Sequence, residues 1–263
     1  MAKAQSKALE KTTTNGAPPA HLADRMRKDA GRGVSKDQSD NLIPLIYVLQ
    51  GQSPQVNKRG PDFIEGAEPG DIWLRNSPKP IVKGEVGFYF QSCFFSKDWV
   101  EWVPRTKGGG YAGRHDQRPD DAVEKPDPEN PAKMKWTRPN GNHVIETRYH
   151  AGLGHMPDGG RLPYVIPISS TGHTVSRGWM FSLNSKQVGD VTAPAFASLW
   201  HITTKQKSNA AGDWFSMNVV DAGWVSEADY DLGSALAAAF ESGAKVADEP
   251  EHAEQAEDAN APL

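Results

Sequence analysis

The stretch Val86-Gly-Phe-Tyr-Phe-Gln-Ser-Cys-Phe-Phe-Ser-Lys-Asp-Trp-Val-Glu-Trp-Val103 decides the fold class of this chain. Aromatic and β-branched residues dominate it, and helix formers are scarce. Successive strand residues point to opposite faces, so Val86, Phe88, Phe90, Ser92 and Phe94 should share one face and Tyr89, Gln91, Cys93 and Phe95 the other. The pattern predicts a β-hairpin or meander, followed by a strand over Trp99–Val103.

Working outward, the same punctuation of short apolar runs by turn residues recurs. Asn41-Leu-Ile-Pro-Leu-Ile-Tyr-Val-Leu-Gln50 is the first strongly apolar run and should enter the core, with Pro44 at a sheet edge or turn. Asp71-Ile-Trp-Leu-Arg75, His143–His150, Leu162–Ile168, Ala197–Lys205 and Trp214–Val220 are further strand candidates. Six prolines between Pro104 and Pro139 predict a long loop or insertion there. The period changes twice. Val175, Trp179 and Leu183 recur every four residues, predicting a helix over Ser169–Lys186 capped by Ser170 or Thr171. Leu232, Leu236 and Phe240 do so behind Ser226 and Asp229, which resemble a capping box, predicting a C-terminal helix over Ser226–Ser242. The expected class is mainly β (α+β), an open barrel with one internal helix and a C-terminal helix.

Charge separates the ends from the body. All 29 Lys and Arg precede Val246, whereas six of the 33 Asp and Glu follow it, so the chain without that tail carries 29 minus 27, or +2. Residues 1–38, with many Lys, Ala, Thr, Gly and Ser and no hydrophobic periodicity, read as a disordered basic arm. Residues 39–245 read as one β-rich domain. Residues 246–263, with six carboxylates and no Lys or Arg, read as a disordered acidic tail. No apolar run reaches membrane-span length and the N-terminus lacks an apolar signal stretch, so a cytoplasmic protein is expected.

Enzyme chemistry finds little purchase. Gly108, Gly110 and Gly113 satisfy G-x-G-x-x-G, but Arg114-His-Asp-Gln-Arg-Pro119 follows where a dinucleotide site needs a helix, so a glycine hinge is expected instead. His115, His143, His150 and His155 show no paired metal-ligand spacing, and no serine sits in a nucleophile elbow. One cysteine, Cys93, lies among Phe90, Phe94 and Phe95 and reads as a buried core thiol. No catalytic residue, metal or cofactor is expected.

Aromatics interleaved with cations carry more information. Trp99, Trp102 and Arg105 adjoin Lys107 and Tyr111; Trp136 adjoins Lys135 and Arg138; Arg148 precedes Tyr149; Trp200 leads to Lys205 and Lys207, and Trp214 follows. Stacking rings and phosphate-tracking cations are what a single-stranded nucleic acid needs. Alternation places Trp200 in the core and Lys205 and Lys207 outward. The candidate nucleic-acid contacts are Lys97, Trp102, Arg105, Lys107, Tyr111, Arg148, Lys205 and Lys207.

A basic-aromatic body with an acidic tail ending in Ala261-Pro262-Leu263 resembles the single-stranded DNA-binding proteins of bacteria and their phages. The body is similar to phage-encoded proteins of that kind over Ile43–Val56, Glu65–Ile72, and Trp99–Arg105 with its triple glycine. The resemblance implies an elaborated oligonucleotide/oligosaccharide-binding (OB) barrel binding single-stranded DNA in replication or recombination, in the host bacterial cytoplasm. It also implies that the tail regulates DNA access and recruits replication proteins through Glu254, Glu257, Asp258, Pro262 and Leu263, with Leu263 where bacterial tails carry phenylalanine. Homodimerisation is compatible with it. The alternative reading is a phage protein-interaction module that does not bind DNA.

Overall fold

A computed structural model describes residues 43–75, 77, 79–127, 133–155, 160–209 and 212–243, together with Arg25 and Lys28. The chain divides into two units, residues 1–40 and 41–263. In the first, Arg25 and Lys28 are helical and exposed; apart from them, the expected basic arm lies outside the described residues, as does the acidic tail.

The elements of the second unit run β1 (Ile46–Val48), β2 (Ile72–Leu74), β3 (Ile81–Val82), β4 (Phe88–Trp102), β5 (Tyr111–His115), β6 (Val123–Pro126), β7 (Met134–Thr137), β8 (His143–His155), β9 (Arg161–Ser169), α1 (His173–Ser185), β10 (Gln187–Val188), β11 (Val191–Thr192), β12 (Ser198–Asn209), β13 (Gly212–Trp224) and α2 (Glu227–Glu241). This is the expected mainly β, α+β open barrel: the sheet does not close, one helix is internal and one follows the last strand.

The stretch Val86–Val103 does not form a hairpin. It forms one fifteen-residue strand, β4, paired antiparallel with β8 from Tyr89↔His155 to Trp102↔His143. The two ends of this pair recruit different neighbours. At one end β4 pairs with β12, which pairs with β13, while β8 pairs with β9. At the other end β4 pairs with β5, and β8 with β7, which pairs with β6. The expected long loop over 104–139 therefore contains three strands. Proline does not prevent this, because Pro126 closes β6, where the ladder ends, and Pro104 and Pro119 lie in turns. The glycine run makes the turn from β4 into β5: Gly108, Gly109 and Gly110 all have positive φ, and the Val103 N–H donates to the Gly110 carbonyl at 2.8 Å.

A β-bulge between Ser92 and Phe94 shifts the β4 register against β8. Parity reverses across it. Before the bulge Phe88 and Phe90 face the first core, with Ile46, Ile72, Tyr164, Ile166, Trp179, Trp200 and Ile202. Beyond it Phe94, Val100 and Trp102 face the second core, with Leu45, Tyr47, Tyr149, Val165 and Phe240. Cys93 is buried as expected, and burial pushes its thiol up to about 12.

Helix α1 plugs the first core. Trp179 stacks on His150 with centroids 4.1 Å apart and meets Phe90 and Trp200 edge-on. Its expected side-chain cap is absent: a 3-10 turn over Ser170–Gly172 leads in, and the His173 N–H bonds the Ser170 carbonyl. Helix α2 covers the second core. Ser226 caps it, accepting from the Asp229 N–H at 3.2 Å and donating to the Asp229 carboxylate at 2.8 Å. Its buried face is Gly233, Ala237 and Phe240, so Leu232 of the expected stripe lies exposed.

The small sheet β1-β2-β3 hangs on β9 through a parallel bridge, Leu45↔Val165. Across the remaining gap β13 has no strand partner. The Gln50 side chain clips the gap instead, accepting from the Phe215 N–H and donating to the Phe215 carbonyl, both at 2.9 Å. One buried amide thus replaces a rung of the ladder. Gln50→Ala removes both bonds and is expected to cost about 1–3 kcal/mol. Urea denaturation and faster hydrogen exchange at the Phe215 amide would register it; an unchanged midpoint would show that the clip carries no stability.

Candidate functional site

Beyond the bulge, Lys97, Trp99 and Glu101 face the same side as the first core, and their partners Arg148, Glu146 and Val144 on β8 face it with them. Trp136 on β7 pairs with Val144 and so joins this face. The result is a strip of rings and cations on the far lobe of the sheet. Trp99 and Trp136 are half-buried and meet edge to face, centroids 6.4 Å apart. The exposed Arg118 lays its guanidinium over Trp136 at 3.8 Å and reaches Trp99 at 5.8 Å. Lys97 is exposed directly across from Arg148, whose Nε bonds Glu146 at 2.8 Å.

Two further basic residues extend the strip toward α1. His173 Nε2 donates to the Glu146 carbonyl at 2.9 Å, which brings the start of the helix onto β8. Burial holds His173 below the ordinary histidine range, and the nearby charges of Arg148 and Arg177 act in the same direction. Arg177 itself is exposed on the helix.

At the other end Glu101 is the anchor. It is buried, and burial alone would raise its carboxyl; hydrogen bonds from Arg138 (2.8 Å), Asn140 (3.1 Å), Asn142 (2.7 Å) and His115 (2.8 Å) outweigh that and hold it at about 2. Arg138 also forks onto Asp121 at 3.0 and 2.9 Å. This network ties the β5–β6 connection, which carries Arg118, to the β7–β8 turn.

The expected contacts divide. Lys97 and Arg148 come together in the strip. Trp102, expected as a contact, is instead fully buried, because the bulge turns it into the second core, so base stacking is not open to it. Tyr111 packs edge-on against Trp102, centroids 6.0 Å apart, on that same opposite side. Arg105 begins the 3-10 turn after β4, and Lys107 in that turn donates to the Asn140 carbonyl at 2.8 Å, a turn-to-turn tie. Lys205 and Lys207 are exposed as expected, but on the β12–β13 hairpin, whose inner face carries Trp200 and Ile202. Glu254, Glu257, Asp258, Pro262 and Leu263 lie outside the described residues.

Sequence reasoning missed Trp99, Trp136, Arg118, His173 and Arg177 as a group. The two tryptophans stood out beside cations; what sequence lacked was the parity change that puts them on one face. Among the described residues, no group of three or more His, Cys, Asp and Glu could hold a metal ion, and no helix is long and apolar enough to cross a membrane.

No curated protein and no solved structure matches the chain. A family model described as Pam3 phage gp34-like protein matches residues 11–246, most of its length. The chain belongs to the Pam3 phage gp34-like protein family.

Proposed function

We propose that this protein binds single-stranded DNA with little sequence preference, as a non-enzymatic, cytoplasmic factor in phage replication or recombination, on an elaborated OB-like barrel. The observation that carries the reading is the half-buried Trp99–Trp136 pair, covered by Arg118, on one face with Lys97 and Arg148. Every base has a π face, so rings bind any sequence, while Lys97 and Arg118 supply charge for the backbone. Neither cation has a carboxylate within ion-pair distance among the described residues. The Arg118 guanidinium covers the Trp136 ring face that a base would take. Binding moves it to a phosphate or sandwiches it against the base.

The acidic residues 246–263 fit the same reading. With a body of only +2, long-range attraction is weak, and a tail of six carboxylates competes with DNA for the strip and offers a docking end to replication proteins. Labelled oligo-dT and duplex DNA of equal length, titrated with the full chain and with a chain ending at Ala247 at two salt concentrations, test this. The expected result is single-strand preference that falls with salt and tightens on truncation. Trp136→Ala should weaken binding by about 5- to 100-fold, and Lys97→Gln should flatten the salt dependence by about 0.7 in log–log slope per lost phosphate contact. No binding at low salt, or equal binding of duplex, would overturn the reading.

One observation favours the protein-interaction alternative. Phe181 is 74% exposed, Val188 and Val191, paired across the β10–β11 turn, 58% each, and Trp224 52%, apolar side chains that a protein partner would cover. Absence of DNA binding, with this apolar surface buried in a complex, is the outcome that alternative expects.

A further inference from the structure

The gap that Gln50 clips is also a pocket. Tyr47 and Val48 line it from β1, Pro167, Ile168 and Ser169 from β9, and Trp214, Phe215, Ser216 and Met217 from β13. It lies where the barrel fails to close, and residues from both sides of the seam meet in it. Among the described residues no carboxylate lines it. Across the β12–β13 ladder, Lys207 stands opposite Trp214 and Lys205 opposite Ser216, so both exposed lysines share the face of Trp214. The one nearby carboxylate on the hairpin tip, Asp213, alternates to the other face and accepts from Gln206 at 3.3 Å.

We propose that this seam pocket is a second subsite that holds one nucleobase of a single strand, with the adjoining phosphates on Lys205 and Lys207. The inference rests on the single-strand reading above but on a separate set of residues. The walls favour a flat ring: Trp214 is planar and the Pro167 pyrrolidine is rigid. Ser169 and Ser216 bring hydroxyls to the lining, that of Ser216 donating to the Met217 carbonyl at 3.4 Å; a hydroxyl can donate or accept and so selects no base. The paired lysines choose an anionic ligand over a neutral aromatic one. Neither has an ion-pair partner among the described residues, and their position beside the ring matches a base followed by its own phosphodiester. Lys205 and Lys207, and the strip that they do not reach, thus become two contact points on one strand.

The test is a titration of long oligo-dT with the wild-type chain, Trp214→Ala, Trp214→Phe, the double variant Lys205→Gln/Lys207→Gln, and Trp136→Ala. Each variant's melting temperature is measured first. The expected result is a loss of about 5- to 100-fold for Trp214→Ala, recovery with Trp214→Phe, and a smaller loss with a shallower salt slope for the lysine pair. A protein footprint shortened by Trp214→Ala at saturating DNA would support the subsite further. Wild-type affinity in Trp214→Ala and in the lysine pair, with Trp136→Ala weakened, would overturn the seam subsite and leave the strip standing. Failure of the wild-type chain to bind would overturn both.

Discussion

Acidifying this protein from pH 7 to pH 4 should remove about 3 kcal/mol of stability through His150 alone. His150 is fully buried, stacked on Trp179, packed against Phe95 and bonded through Nε2 to Ser176 Oγ at 2.8 Å. Burial, aided by the charge of Arg148, pulls its pKa down to about 3. An unfolded histidine titrates near 6.5, so between those values the unfolded chain binds a proton that the folded chain refuses. Stability is therefore complete above about pH 6.5 and drains away as the pH falls toward 3. His155 and His173 are lowered in the same direction, mainly by burial, and steepen the loss. Glu101 adds its own loss as the pH falls below the ordinary carboxylate value, whereas Asp98, raised by burial, offsets part of the loss just above that value. Urea denaturation at pH 7, 5.5 and 4 would measure the slope. His150→Leu should be less stable at pH 7, because Ser176 loses its partner, yet flatter between pH 6.5 and 4. A wild-type free energy that holds constant from pH 7 to 5 would show that His150 is protonated in the folded state.

Trp102→Ala should cost about 3–5 kcal/mol, the range for emptying a buried tryptophan site. Trp102 is fully buried between Tyr111 and the rest of the second core. Domains of this kind hold roughly 5–15 kcal/mol in total, so this one substitution consumes a large part of the margin. Trp136→Ala, by contrast, removes a half-buried ring at the sheet surface and should leave the melting temperature nearly unchanged while weakening DNA. The contrast is the measurement: thermal melts and oligo-dT titrations of both variants. A stable Trp102→Ala protein with weakened DNA binding would place the contact surface on the other face of β4 and refute the strip.

Much of the fold was legible because local patterning and burial agree. The four-residue recurrence of Trp179 and Leu183 made a helix, since those two side chains had one core to enter. Ser226 and Asp229 made a cap, because the bond they form is three residues long. Trp200 fell inside and Lys205 and Lys207 outside by simple alternation along β12. The misreadings came where alternation is interrupted or where partners are distant. The segment 104–139 looked like a loop because prolines disfavour strand interiors, yet Pro126 only closes β6 and Pro104 and Pro119 lie in turns. The bulge at Cys93 carries no sequence signature of its own, and one inserted residue sends every later side chain of β4 to the opposite face.

By itself the sequence determined the class: β-rich and open, with two helices in place, a buried thiol, a basic-aromatic body and an acidic end. These follow from residue type and short-range spacing, which act within a few residues of the chain. Only the tertiary structure decided which rings are free to meet a ligand. Trp102 and Trp99 lie three residues apart in one strand, yet one is sealed in the second core against Tyr111 and the other stands beside Trp136 and Arg118. That choice depends on the register between β4 and β8, on a bulge that reverses parity, and on cation and ring partners contributed from β7 and the β5–β6 connection. None of these is a property of a short window of sequence, because each is set by pairing between segments tens of residues apart.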